Sequence, residues 1–357
     1  MKKPYKKWYT TIIAFLLFPI IGFANDDAII TKQKNIKKAF IVNSDAGIDI
    51  TNSYGTVFVT TWEEDKIELD ILIKVSGDNE NWVNQRLNNI TIDISALKHL
   101  ISATTQIGNS NYKAKGRNNS FEINYVIKIP KNGSVTVNNK YGDITTTDLN
   151  APTNIFCKYG KISMGRLNSS KNDITIEYCN NSSIDFLKNG TVIGRYSGLT
   201  IEALSKIDLT SDYTDTTIGD AGEVKYTSKY GAVKIKEVNN LEGSGNYLTI
   251  RVGSVNNQLK LQTKYSSIDV GQVQPKANSI LIVAGYTCIK VGFSPNFAFD
   301  FAINMRYADL KYDSDFEFFN KTETNYTKSF SGYYKKKGVN AVAITSEYGN
   351  VSLTKKL

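Results

Sequence analysis

The chain has 357 residues, 43 of them basic and 34 acidic, for a formal net charge of +9, and 41% are apolar, enough for a sizeable core. It carries one histidine and three cysteines, which excludes zinc sites built from several histidines and any histidine-based triad. Six prolines and 21 tyrosines, beside abundant Ile, Val and Thr and Asn-Gly, Asn-Asn and Ser-Gly steps, form a strand-and-turn vocabulary, so an all-β chain with little helix is expected.

Residues 1–24 read as a signal peptide. Lys2, Lys3, Lys6 and Lys7 precede an apolar run from Thr11 to Phe23, and Gly22-Phe23-Ala24 supplies the small residues that cleavage after Ala24 requires. An uncleaved anchor is the alternative, although the run is shorter than the ~20 residues a span needs. Membrane contact is then only transient, and the mature chain is expected in the periplasm or on the cell surface. No cysteine follows the cleavage site, which speaks against a lipid anchor. Cleavage removes four lysines and no acid, lowering the net charge from +9 to +5. The remaining bases are scattered rather than striped, which speaks against nucleic acid and leaves at most a weak attraction to anionic surface polymers.

Residues 25–61 hold the first strands, with Ile48 and Ile50 before Tyr54 and Val57 and Val59 after it. Residues 62–125 interrupt the pattern as a small α+β insertion. A strand over Lys66–Val75 leads to Ser76-Gly77-Asp78-Asn79-Glu80, where Asp78 or Asn79 can cap a helix bearing Trp82, Val83, Leu87 and Ile90. Strands over Ile90–Ile94, Leu100–Thr105 and Phe121–Ile129 follow, then the Pro130-Lys131-Asn132-Gly133 turn. The insertion is expected to cap the first rung of what comes next, since a stack of strands exposes apolar residues and unpaired backbone at its ends.

From residue 126 to 357 a tyrosine recurs: Tyr141, Tyr159, Tyr178, Tyr196, Tyr213, Tyr230, Tyr247 and Tyr265 at 17–19-residue spacing, then Tyr286 and Tyr307, with Tyr54 and Tyr348 as outliers. Six and four residues before eight of the twelve lies an apolar pair, such as Ile207 and Leu209 or Leu259 and Leu261. Three and five residues after most of them lies another, such as Val233 and Ile235 or Ile268 and Val270. Spacing by two is strand periodicity with one face buried. The parity changes between the pairs, so the chain must bend there, and the bend is expected at the small residues just after the tyrosine: Gly55, Gly142, Gly160, Gly231 and Gly349, with Ser197 and Ser266 as substitutes. Each repeat reads as strand, corner, strand, turn, and the whole as a β-solenoid, or β-helix, of roughly 17–21-residue rungs. The tyrosines would form a structural ladder along one edge.

Residues 317–338 break the period with a loop rich in Lys, Phe and Tyr. Exposed aromatics beside cations suit saccharide or anionic-polymer contact, so Tyr326, Phe330, Tyr333, Tyr334, Lys335, Lys336 and Lys337 are the candidate partner contacts; a disordered excursion is the alternative. Chemistry is otherwise sparse. His99 sits between strand candidates and reads as an exposed loop residue. Asp208, Asp212, Asp215 and Asp220 lack the spacing of calcium-binding loops and read as solvated strand and turn positions. Cys157, Cys179 and Cys288 stand at three different offsets from their tyrosines, so no pairing is demanded and small buried residues are the favoured reading. No catalytic, metal or cofactor residue is assigned.

The units Lys140-Tyr141-Gly142-Asp143-Ile144, Lys158-Tyr159-Gly160-Lys161-Ile162 and Ser228-Lys229-Tyr230-Gly231-Ala232-Val233, with the Ile129-Pro130-Lys131-Asn132-Gly133 lead-in, resemble the bacterial "putative adhesin" family of exported β-strand-repeat proteins, similar to the head domain of auto-transporter adhesins. The resemblance runs from about Ala39 to the C-terminus and implies a β-helix, and it supplies no catalytic residues. The expected function is a non-enzymatic, adhesin-like envelope or surface protein that binds an envelope protein or a polysaccharide through the solenoid face. A periplasmic regulatory or sensing partner of an envelope signalling system is the alternative, and a β-helical carbohydrate-active enzyme a third, which would need paired carboxylates in a groove.

Overall fold

Alternating apolar and polar residues leave each segment one buried and one solvated face, and parallel neighbours can share that burial only by stacking. The computed structural model describes residues 29–109 and 118–356. In it 23 strands join one continuous hydrogen-bonded sheet, folded into two facing walls with the apolar residues of every rung between them. The all-β solenoid expected from the repeat is therefore the observed architecture. The expected signal peptide, residues 1–24, lies outside the described residues.

Within a rung the strand before the tyrosine belongs to the first wall and the strand after it to the second. Val135–Lys140 pairs in parallel with Thr153–Lys158, and that strand with Asn172–Glu177. On the second wall Ile144–Thr146, Ile162–Leu167 and the first half of Ser182–Arg195 follow in the same way, and the second half of that last strand returns to the first wall beside Asn172–Glu177. From Gly198 to Lys264 hydrogen bonding runs through the corners without interruption. Ile48, Ile50, Ile144, Ile162, Ile201, Ile207, Val233 and Ile268 are each at most 1% exposed, which is the stripe the period-two pattern requires.

The bend falls one residue earlier than the glycines suggested. All twelve repeat tyrosines have left-handed backbone, with φ between 50° and 62°. A single left-handed residue turns the strand and switches the parity of burial in one step. The cost for a non-glycine residue is about 1–2 kcal/mol. Against it stand the phenol stack and the tyrosine N–H, which donates to the neighbouring rung, as from Tyr141 to the Lys158 carbonyl at 2.8 Å. The following glycine answers crowding rather than the turn: a Cβ on Gly142 would lie 1.9 Å from the Gly55 carbonyl oxygen. Elsewhere a hydroxyl fills that place. Ser197 Oγ accepts from the Cys179 N–H at 3.0 Å and donates to the Arg195 carbonyl at 2.7 Å, and Ser266 does the same with Leu248 and Lys264.

Rung order departs from chain order at both ends. Leu100–Ile107 and Ser120–Pro130 form a rung of their own, outside the Tyr54 rung, so Tyr54 is sandwiched between that rung and the Tyr141 rung. At the other end Ala341–Glu347 and Val351–Lys355 slot between the Tyr286 and Tyr307 rungs. Tyr348 is thus no outlier but the penultimate step of the ladder, ring to ring with Tyr286 at 4.8 Å and Tyr307 at 4.9 Å.

The ends are closed differently. On the N-terminal side Ile30–Ile41 and Lys66–Gly77 add antiparallel strands to one wall, Ile90–Ala96 adds one to the other, and the helix Glu80–Asn88 packs Trp82 and Val83 inward. Asn79 is its cap, its side chain accepting from the Trp82 N–H at 3.0 Å. The outermost strand carries Lys32, Lys34, Lys37 and Lys38, charges that discourage further pairing. On the C-terminal side the presumed loop 317–338 is a β-hairpin: Phe316–Glu323 pairs with Thr327–Tyr334, which pairs with Phe299–Arg306. Phe293, Phe297, Phe299, Phe316 and Tyr334 plug the core beneath it, with centroids 5.0–6.0 Å apart along the cluster.

Three outcomes follow from this geometry. Replacing Tyr230, whose ring stacks at 4.6 and 4.9 Å on its neighbours while 41% exposed, by Ala should cost about 2 kcal/mol; Tyr230→Gly, which sheds the left-handed strain, should cost no more, as read by denaturant unfolding. Deleting residues 341–357 should abolish cooperative unfolding rather than shorten the stack by one rung, because it opens two parallel edges inside the sheet; a soluble, cooperatively unfolding product would contradict the intercalated order. Burial pushes the Tyr125 phenol up to about 12, and desolvation, aided by neighbouring phenols, raises those of Tyr213 and Tyr286. Their folded values exceed the unfolded ~10, so their contribution is intact below that pH and is lost as pH climbs through the folded values; the thermal midpoint should fall in step with tyrosinate absorbance above pH ~10.

Candidate partner-binding surface

Every second residue of every rung points outward, so the outer face is a set of columns with one side chain per rung. On the second wall Thr145, Ser163 and Ser183 stand in register, Thr200 pairs with Ser183, and Thr217 continues the offset, giving five consecutive hydroxyls. The same column then turns charged: Lys234, Arg251, Asp269 and Lys290. On the first wall a shallow groove of about 650 Å³ crosses five rungs, from Lys206 and Asp208 past Glu223, Lys225, Glu242 and Lys260 to Leu281. Its charges are largely matched from rung to rung, with Lys206 3.1 Å from Glu223 and Lys260 2.9 Å from Glu242. The hydrogen bond from Lys260 holds the Glu242 carboxyl below its ordinary range. Such a groove offers alternating charge, not a net field.

Between the walls runs the phenol ladder. Eleven successive ring pairs stack at 4.6–5.1 Å with interplanar angles of 2–19°. Each ring is 41–50% exposed, so stacking covers the faces and leaves the edges and hydroxyls in solvent. A tilted aromatic closes each end, Phe121 on Tyr54 at 5.0 Å and Tyr326 on Tyr307 at 5.3 Å.

The seven residues singled out as contacts divide between two sides of the terminal hairpin. Phe330 and Tyr334 are buried, the Tyr334 hydroxyl donating to the Pro295 carbonyl at 3.3 Å, and neither is available to a partner. Tyr326 is 60% exposed. Tyr333 faces outward, Lys335 Nζ donates to the Asn296 side chain at 3.2 Å, and Lys336 is exposed. Lys337 Nζ sits 4.7 Å from the Phe319 ring centroid and 5.0 Å from that of Tyr333, the two rings being 5.5 Å apart. Sequence reasoning missed Phe319. It lies at a bulge, where the register shifts between Phe318 and Asn320, and the extra residue throws an aromatic to the outside. The clue lay in the alternation of Phe316, Phe318, Phe330 and Tyr334, which marks strands rather than a loop.

His99 is exposed in the turn between Ile90–Ala96 and Leu100–Ile107. Asp215 accepts from the Ala232 N–H at 2.9 Å and Asp220 pairs with Lys236 at 3.2 Å. Among the described residues no three His, Cys, Asp or Glu side chains gather as a metal site would require. Cys157 and Cys179 are buried and unbridged, and Cys288 is exposed.

No family model matches the chain, and no curated protein does. Solved structures similar to it over 90% of its length include a putative cell adhesion protein from Clostridium sporogenes (10% identity, all of that chain, TM-score 0.16). A putative adhesin from Bacteroides fragilis (13%, 97% of that chain, TM-score 0.20) and one from Parabacteroides merdae (12%, 96% of that chain, TM-score 0.30) also match. With TM-scores of 0.30 or lower the backbones superpose loosely. Each of these three solved structures is described as a putative adhesin or a putative cell adhesion protein.

Proposed function

We propose that the protein is a non-catalytic, adhesin-like binding protein, exported by its N-terminal segment, that holds a polysaccharide or an envelope protein against its outer face. The observation that carries this reading is the fixed spacing of the outer columns. A stack of rungs tied by backbone hydrogen bonds and by the phenol ladder pre-orders dozens of polar side chains, so a repetitive partner meets them with little further loss of conformational freedom. The aromatic and cationic group of Phe319, Tyr333 and Lys337 at the C-terminal end supplies a cluster with the geometry of cation–π recognition at a protruding edge. Neutralised charge along the groove fits a partner chosen by hydrogen bonding and shape better than one gathered by long-range attraction.

The test is retention of the tagged mature chain on envelope fractions and a polysaccharide panel, beside cell fractionation. Tyr333→Ala with Lys337→Ala should lower retention at least fivefold while leaving the thermal midpoint within ~2 °C, because both side chains stand outside the core. Unchanged retention would move the contact from the hairpin to the walls. Hydrolysis of a panel member, abolished by changing one carboxylate, would refute the non-catalytic reading.

A further inference from the structure

Two positions of each rung meet inside the corner. One is the residue two before the tyrosine, which points inward. The other is the residue just after the tyrosine of the next rung, which points back toward its neighbour. In several other rungs these places hold hydrogen-bonding groups: Asn139, Ser211 and Ser228 at the first, Ser197, Thr214 and Thr287 at the second. Cys157 holds the first in the Tyr159 rung and Cys179 holds the second in the Tyr178 rung. Their different offsets from the tyrosines are the offsets that bring them together.

The distance between the two places can be measured at an equivalent pair. In the Tyr196 and Tyr213 rungs they are held by Gly194 and Thr214, and a Cβ placed on Gly194 would lie 3.7 Å from the Thr214 Cβ. Disulfides have Cβ atoms about 3.5–4.5 Å apart. The cysteines themselves agree with this. Cys179 Sγ is 3.3 Å from the Cys157 carbonyl oxygen and 3.2 Å from that of Glu177, and Cys157 Sγ is 3.6 Å from the Gly142 carbonyl oxygen. Both are buried, and neither is bridged.

We infer that Cys157 and Cys179 are a disulfide-forming pair that staples the Tyr159 rung to the Tyr178 rung when the chain folds in an oxidising medium. The thiolate of one cysteine opens the disulfide of a small or protein oxidant such as glutathione disulfide, releasing one thiolate that takes up a proton. The other cysteine, giving up its proton, attacks the protein sulfur of the mixed disulfide and expels the second thiol. Two protein thiols are oxidised and one oxidant disulfide is reduced to two thiols. Because both sulfurs are buried in the finished corner, the exchange belongs to folding, before the Tyr178 rung docks. Cys288, exposed on the second wall, stays out of it.

The experiment is refolding of the full chain from denaturant in a glutathione redox buffer, then thiol counting under denaturing conditions and peptide mapping. One free thiol, from Cys288, and a linked peptide pair spanning Cys157 and Cys179 are expected. The oxidised protein should melt ~5 °C above the reduced one, as for a bridge closing a loop of this length. Cys157→Ser and Cys179→Ser, each placing a residue native to its column, should fold, count two thiols and show no melting difference between oxidised and reduced samples. Three free thiols in the refolded wild type, or a bridge to Cys288, would overturn the assignment. Should either variant fail to fold, the wild-type thiol count and map decide alone.

Discussion

The parallel hydrogen-bond ladder fixes successive rungs about 4.8 Å apart, and nothing in a side chain can alter that spacing. Aromatic rings in offset contact prefer centroids in the same range. The tyrosine column exploits this coincidence, and the rest of the solenoid depends on it. Each ring is anchored on a left-handed backbone residue, costly alone, and the cost is offset only while a neighbour stands on either side. The corner therefore exists as a property of the column, not of the single rung. A lone copy of the motif would have no reason to keep a tyrosine at positive φ.

Inside the corner the same constraint admits several chemistries, with Cys179, Leu248 and Ala308 in some rungs and glycine or a hydroxyl in others. Where the neighbouring carbonyl points into the space, as from Gly55 toward Gly142, the position must be glycine. Where the neighbouring N–H points there instead, as from Cys179 or Leu248, a serine or threonine hydroxyl receives it. The choice is made rung by rung and leaves the ladder undisturbed, which explains how the repeat tolerates such varied residues after an invariable tyrosine.

Fold class and rung period were legible because burial in a strand has period two and a stacked aromatic must recur with the rung. The helix was legible too, since Asn79 followed by buried Trp82 and Val83 is a local signal. Two things were not. Positive φ at tyrosine was obscured by the adjacent glycines, which conventionally carry such turns; only a close approach of backbone from another rung explains them, and sequence holds no record of it. The order of rungs was equally hidden. Periodicity says that Val342, Ile344, Val351 and Leu353 belong to a rung, but not which two rungs they separate. For the surface, the expectation of a loop over 317–338 fails because the outward aromatics mask the alternation of Phe330 and Tyr334, and a bulge puts Phe319 out of phase.

The intercalation of the Tyr54 and Tyr348 rungs gives each end of the stack a keystone. Between them, from the Tyr141 rung to the Tyr286 rung, chain order and spatial order coincide, so a duplicated or deleted repeat there would simply lengthen or shorten the column. At the ends the same event would strand a segment on the wrong side of its neighbour. Variation in repeat number among chains built this way is therefore confined to the interior, and the two terminal assemblies travel as fixed units whatever the length between them.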